Sequence, residues 1–357
     1  MPNEGRVRDE IMNPDRNYVV ITTIQEPNVS VRRFAERIAG YMGVLVIVGD
    51  RKGPASFDLE NALFLSLQDQ IDSQFALAKL LPENHYSRKN IGYLAALTQG
   101  TPCIYETDDD NAPMEDWKMR IKSVKAAKVM EKGWVNAYRF FSEERIWPRG
   151  FPLDEIAVSE KALIRGELCE VDAPIQQGLA DNSPDVDAIW RLLLDRPFTF
   201  SRGPSIYLAP GSWCPFNSQS TWWWPEAFPL MYLPSYCSFR MTDIWRGFIA
   251  QRCLWEMGYG VVFHASEVIQ ERNEHNLMRD FNDEVPGYIR NKELVEILEG
   301  LSLKGGTGSL GGNVLSCYEA LVTAGFFPEK ELGLVHAWLQ DLTTVKEIIA
   351  RKSLSRE

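Results

Sequence analysis

An α/β fold built on a mostly parallel, Rossmann-like sheet flanked by helices is expected for this chain, on three grounds. A β-branched run, Asn17 to Ile24 (NYVVITTI), is followed by a second apolar run, Val44 to Val48 (VLVIV). Between them Val31, Phe34, Ile38 and Tyr41 recur at helical spacing. Both runs are apolar almost throughout instead of alternating, as strands covered on both faces are. Strand, helix, strand in this order is a βαβ unit, and 357 residues that are 45% hydrophobic suffice for one large domain or two ordinary ones.

The first strand ends at Gln25-Glu26-Pro27-Asn28, a turn before the helix Val29 to Tyr41. The second strand ends at Gly49-Asp50, and a helix is expected from Leu59 into the Gln70 region. A further helix is expected near Arg88 to Gln99, then a strand over Pro102 to Thr107. From Trp147 the texture changes. WPRGFPL, DAPIQQGLADNSPDVDAIWRLL and PGSWCPFNSQSTWWWPEAFPLMYLP are rich in Pro, Trp and Gly and read as ordered loops and short strands of a substrate wall. A helix opens at Thr242 and stops at Gly258 or Gly260, and VVFH reads as a short strand. After the charged stretch Glu267 to Asp283, the last ~70 residues read as helical. They are interrupted by KGGTGSLGG, which lacks the Gly-Lys-Ser/Thr ending of a phosphate-binding loop and is read as a flexible linker. No internal repeat or low-complexity tract is visible.

A net charge of −11, from 38 Lys+Arg against 49 Asp+Glu, argues against nucleic acid or an anionic membrane as a general partner. Six scattered cysteines without a Cys-x-x-Cys pair suit a reducing compartment. The N-terminus MPNEGRVRDEIMNPDRN has no apolar core, and no run approaches the ~20 apolar residues of a membrane span, so a cytoplasmic location is expected. No oligomer signal is readable.

Parallel α/β sheets bind ligands beyond the carboxyl ends of their strands. Thr22, Asp50 and the triplet Asp108-Asp109-Asp110 all fall at such ends. Asp108 and Asp110, two residues apart, can reach one hard divalent cation, Mg²⁺ or Mn²⁺, the alternative being a solvated acidic turn. Asp109 is expected to point the other way and fix the loop. His264, closing VVFH, either completes a metal shell or is a satisfied structural residue, and the residues alone favour the latter. His275 and His336 carry no functional reading. Arg88, Lys89 and Asn90, at the start of a helix, form either a diphosphate contact or an exposed basic turn. Asp50 with Arg51 either contacts a nucleoside or begins a turn. Asp243, beside Arg246 at the opening of the Thr242 helix, is an N-cap or else a general base or sugar-hydroxyl acceptor. Trp222-Trp223-Trp224 are expected to pack the core.

The phrases RKNIGYLAALTQGTPCIYETDDDN, PFNSQSTWW, FRMTDIWRGFIAQRCLWEMGYGVVFH and QERNEHNLMRDF resemble the STELLO family of glycosyltransferases, in order from about Val19 to about Gly300. A more distant similarity is to the reversibly glycosylated polypeptides, or UDP-arabinopyranose mutases, through the aspartate triplet, the segment Arg149-Gly150-Phe151-Pro152 and Asp172-Ala173-Pro174-Ile175-Gln176. Both resemblances imply a GT-A fold in which Asp108 and Asp110 hold a divalent metal against a sugar-nucleotide diphosphate, with His264 as third ligand. They imply a nucleotide-sugar-binding half over 17–146, an acceptor half over 147–300, and a helical extension over 301–357 after a polar segment 1–16. The expected activity is transfer from a nucleoside-diphosphate sugar, UDP-linked by preference, to a glycan acceptor, with Asp243, Arg149 and Arg246 in catalytic roles. The alternative is a nucleotide-sugar mutase in which Arg149 is transiently glycosylated, and a third reading is a non-catalytic scaffold that keeps the fold.

Overall fold

The computed structural model describes residues 16–158, 165–272 and 276–354, so the polar segment before Arg16 and His275 lie outside the described residues. The first half runs β1 (Tyr18–Thr22), α1 (Val29–Ala39), β2 (Val44–Val48), β3 (Ala62–Leu65), α2 (Leu67–Asp72), α3 (Ala76–Leu80), α4 (Lys89–Leu97), β4 (Ile104–Thr107) and β5 (Asn111–Pro113). The second half adds β6 (Ser123–Val129), β7 (Gly133–Trp134), β8 (Leu168–Asp172), β9 (Ile175–Asp181), α5 (Ala188–Leu194), β10 (Ile206–Leu208), β11 (Ser212–Trp213) and β12 (Ser220–Trp223). It continues with α6 (Thr242–Trp255), β13 (Val261–Gln270), α7 (Leu277–Glu299), α8 (Leu310–Thr323) and α9 (Lys330–Leu354).

Among the described residues one large sheet has the order β3-β2-β1-β4-β12-β9-β13-β10-β6-β8, with β5 beside β13. Strands β3, β2, β1 and β4 are all parallel, as the βαβ pattern predicts. Beyond β4 the sheet is mixed, because β12 runs antiparallel to both β4 and β9 and β13 antiparallel to β10. The result is a mixed α/β protein with a large central sheet flanked by helices.

Side chains alternate across the sheet with period two. Tyr18 and Val20 of β1 enter the larger core, whereas Val19 and Ile21 enter the core on the opposite face. Trp222 and Trp223 part in the same way: Trp222 lies 4.3 Å, centroid to centroid, from Tyr105 on one face, and Trp223 is buried on the other. The tryptophan run therefore packs the core, as expected.

Two local expectations change. The Leu59 to Gln70 stretch is a strand followed by a short helix: Ala62–Leu65 pairs in parallel with β2, and a capping box between Ser66 and Asp69 starts α2. A short apolar run cannot be told from a buried helix by periodicity, and here the open edge of β2 decided it. The VVFH strand continues to Gln270 because β5 and β9 supply pairing partners beyond His264. The C-terminal helices are part of the main core. Trp338 is fully buried, and Asp341 accepts from the amides of Ala76 and Leu77, each at 2.9 Å, capping α3 from α9. In KGGTGSLGG, Leu310 already begins α8. Among the described residues no helix is long and apolar enough to cross a membrane.

Candidate functional site

Parallel pairing sets Thr22 beside Val48 and Val20 beside Glu106, so the carboxyl ends of β1, β2 and β4 share one edge of the sheet. Thr22, Asp50 and Asp108 emerge there. The edge opens onto two adjoining cavities. One, of about 210 Å³, is walled by Asp108, Asp109, Asp110, Arg149, Ser218 and Asp243. The other, of about 490 Å³, reaches over Val48, Gly49 and Asp50 to His85 and Lys52. Thr22, Tyr86, Asp109 and Phe239 line both, making one continuous cleft.

The three aspartates differ in what holds them. Asp108 accepts from Lys89 Nζ at 3.1 Å, and that ammonium also donates to the Thr107 carbonyl at 2.6 Å. Asp109 turns to Thr23, whose hydroxyl donates to it at 2.5 Å, and its carbonyl accepts from Asn28 Nδ2 at 2.8 Å. Asp110 accepts from Gln270 Nε2 at 2.9 Å through Oδ2, while its buried Oδ1 has no hydrogen-bond partner among the described residues. Burial raises all three carboxyls. For Asp110 the neighbouring charges of Asp108 and Asp109 add to burial, and it is pushed up to about 7. The cluster is short of positive charge, and its orphaned oxygen faces chemistry that suits a hard cation.

The opposite wall is the reverse case. Arg149 donates through Nε and Nη2 to Asp185, both at 2.8 Å, and through Nη1 and Nη2 to Asp243 at 3.0 and 2.9 Å, with the Arg240 carbonyl as a further acceptor. Burial disfavours this guanidinium, but the two carboxylates outweigh burial and hold it well above its usual value. Burial likewise raises Asp243, yet the Arg149 charge prevails and keeps it well below the ordinary carboxylate range. Asp243 is thus a permanent anion and a weak base. With its donors all engaged, Arg149 is firmly cationic and has no lone pair to offer as a nucleophile.

Other expected site residues are placed elsewhere. His264 is buried, with Nε2 2.9 Å from Gln176 Oε1 and Nδ1 2.6 Å from Ser205 Oγ. Gln176 Nε2 already donates to backbone carbonyls, so Gln176 Oε1 accepts from the ring, and Nδ1 accepts from the serine. Burial, helped by Arg120, holds its pKa well below the usual range, so it is a neutral structural residue outside the walls of both cavities. Among the described residues no three His, Cys, Asp or Glu side chains are grouped to hold a metal. Arg88 borders the larger cavity, but its nitrogens donate to Gln70 Oε1 and to the carbonyls of Leu81 and Ala78, which makes it a clasp for the chain before α4. Asn90 is buried against Leu233, exchanging both amide bonds with its backbone. Arg51 is exposed and pairs with Glu83. Arg246 turns into the core against Glu106 and lies 4.8 Å from the Trp223 ring, away from the cleft.

Several residues in or behind the cleft were not singled out from sequence. Asp185, which holds Arg149 from behind, has no local motif, and Arg149 is distant in the chain. Ser218, Phe239 and Arg240 sit on loops or short turns whose direction only packing sets. Gln270 would be legible as a strand-end residue only once β13 is known to run that far.

The model of the STELLO glycosyltransferases family matches residues 240–351 of this chain. The chain is 26% identical over 348 residues to Probable glycosyltransferase STELLO2 of Arabidopsis thaliana, covering 92% of this chain and 45% of that protein. It is 26% identical over 351 residues to Probable glycosyltransferase STELLO1 of the same plant, covering 92% and 44%. The chain therefore spans somewhat less than half the length of these relatives. The matched region includes Arg240, Asp243 and Gln270 of the cleft, and the pairwise similarity extends over nearly the whole chain.

Proposed function

We propose, for a chain that belongs to the STELLO-like family of glycosyltransferases, that the cleft at the ends of β1, β2 and β4 takes a nucleoside-diphosphate sugar with a divalent cation in a GT-A-type arrangement, and that the sugar passes to a glycan acceptor. The observation that carries this reading is the buried Asp110 Oδ1, unpartnered among the described residues, beside two half-buried carboxylates in a cavity of about 210 Å³ that opens onto one of about 490 Å³. That size lies within the ~300–1,000 Å³ range of small-molecule sites.

Asp108 and Asp110 would hold the cation, which when bound supplies Lewis-acid neutralisation of charge on the departing nucleotide. Lys89 holds Asp108 at the cleft and tempers its charge. Asp109, tied to Thr23 and Asn28, fixes the loop that presents its two neighbours. Asp50, whose carboxylate accepts from the Arg51 and His85 amides, stands at the nucleoside end of the cleft. At the other end the Arg149 and Asp243 pair forms a rigid polar wall. Asp243 Oδ2 accepts from Arg149 and from Ser218, so it is Oδ1, which accepts from Arg149, that would take a sugar hydroxyl, and the low pKa makes this carboxylate a poor proton acceptor. The tight double pairing of Arg149 weighs against the mutase reading.

Calorimetry with UDP and GDP, with and without Mn²⁺, tests the proposal. Binding is expected to require Mn²⁺ and to weaken at least about tenfold in Asp110→Ala, the scale on which residues supporting a metal act. Nucleotide affinity indifferent to Mn²⁺ and unchanged in Asp110→Ala would remove the cation assignment.

A further inference from the structure

The larger cavity carries two features that the cation and sugar chemistry do not use. Ile24, just past β1, and Phe239, at the start of the short 3₁₀ turn Phe239–Met241, are 55% and 56% exposed, and both line that cavity. Large apolar side chains left open to solvent inside a concave site mark surface that a ligand covers. They come from the two halves of the chain, more than 200 residues apart in sequence. The Phe239 ring is held in place by its neighbours, with centroids 6.0 Å from Tyr86 and 6.2 Å from His85 and planes inclined at 68° and 73°. An aromatic ring fixed in this way yet exposed over half its surface is a ready-made platform for a flat group.

We propose that Ile24 and Phe239 form an apolar slot that takes the planar base of a nucleotide, so that the second half of the chain closes over a ligand whose phosphates lie at the aspartates of the first half. The inference rests on the nucleotide reading of the cleft given above. A nucleobase has two apolar faces and a polar edge. The slot offers apolar surface from Ile24 and Phe239, and Asp50 and Asn84 line the same cavity. Phe239 also borders the smaller cavity, which places it where the base and phosphate regions meet.

Titrations with UDP and with inorganic pyrophosphate, both with Mn²⁺, separate base from phosphate contacts. The wild-type protein is expected to bind UDP more tightly than pyrophosphate. Phe239→Ala is expected to weaken UDP about tenfold, as loss of one stacked aromatic does, while pyrophosphate affinity stays the same. Phe239→Trp is expected to keep UDP affinity, and Ile24→Asp to lower it. Both side chains are exposed, so the thermal midpoints of the variants should match the wild type. Unchanged UDP affinity in Phe239→Ala, or equal weakening of UDP and pyrophosphate, overturns the slot. Wild-type binding of pyrophosphate as tight as that of UDP also overturns the slot, but leaves the cation site standing. Binding of neither ligand by the wild type removes the nucleotide reading and the slot with it.

Discussion

The two walls of the cleft are both built from buried or half-buried carboxylates, and they behave in opposite ways. On the β4 side Lys89 pairs with Asp108, while Asp109 and Asp110 are held by neutral donors, and Asp110 is left with an oxygen unpartnered among the described residues and a carboxyl raised to about 7. On the facing side, Asp185 and Asp243 grip a single guanidinium, and Asp243 is held well below the usual carboxylate range. Acidic residues in a cleft are therefore not equivalent signs of a ligand. The wall that already contains its cation is a finished structural unit, and the wall that lacks one is where a ligand cation gains most.

Removing Arg149 challenges this contrast most strongly. Arg149→Ala removes the guanidinium that Asp185 and Asp243 share, leaving both carboxylates without their direct ion-pair partner, and a loss of about 3–5 kcal/mol is expected in urea unfolding. A loss under about 1 kcal/mol would mean that water reaches this wall and that the two sides are alike. The same finished wall predicts no sugar adduct on Arg149 in intact-mass spectra after incubation with UDP-sugars and Mn²⁺.

A second test reads the unfinished wall through pH. Asp110 has a folded pKa of about 7 against an ordinary 3.8, so the fold favours its protonated form. The cost of ionising it is absent below the unfolded pKa and grows as pH rises from about 4 to about 7, by at most about 1.4 kcal/mol for each pH unit crossed. The stability of the wild type relative to Asp110→Asn should therefore fall by a few kcal/mol across that window, and Mn²⁺ should reduce the fall. A flat difference curve would show that Asp110 is already compensated.

The smallest expected effect concerns His264. Its ring nitrogens are occupied by Gln176 and Ser205, so His264→Gln should leave Mn²⁺-dependent nucleotide affinity unchanged within about twofold, at a stability cost on the order of 1 kcal/mol for the lost hydrogen bonds. A large drop in metal dependence without unfolding would return the histidine to the cation site.

The parallel start of the fold was readable from sequence because its signals are local. Continuous apolar runs at β1 and β2, an amphipathic helix between them and acidic residues at strand ends follow from period and composition alone. What was misread was decided by neighbours. The Ala62–Leu65 stretch became a strand because β2 had an edge to offer, and β13 ran on past His264 because β5 and β9 were there to pair with it.

Patterns a few residues long were enough to specify the α/β class, the placing of Thr22, Asp50 and Asp108 at one sheet edge, and the burial of the tryptophan run. Which charges remain free for a ligand was settled by tertiary packing alone. Arg88, Asn90 and Arg246 look like ligand-binding groups in the chain, yet each is consumed by a buried partner, and Arg149 meets Asp185 and Asp243 across 36 and 94 residues. A side chain's availability depends on the charges and donors that fold against it, and those arrive from parts of the chain that no local pattern connects.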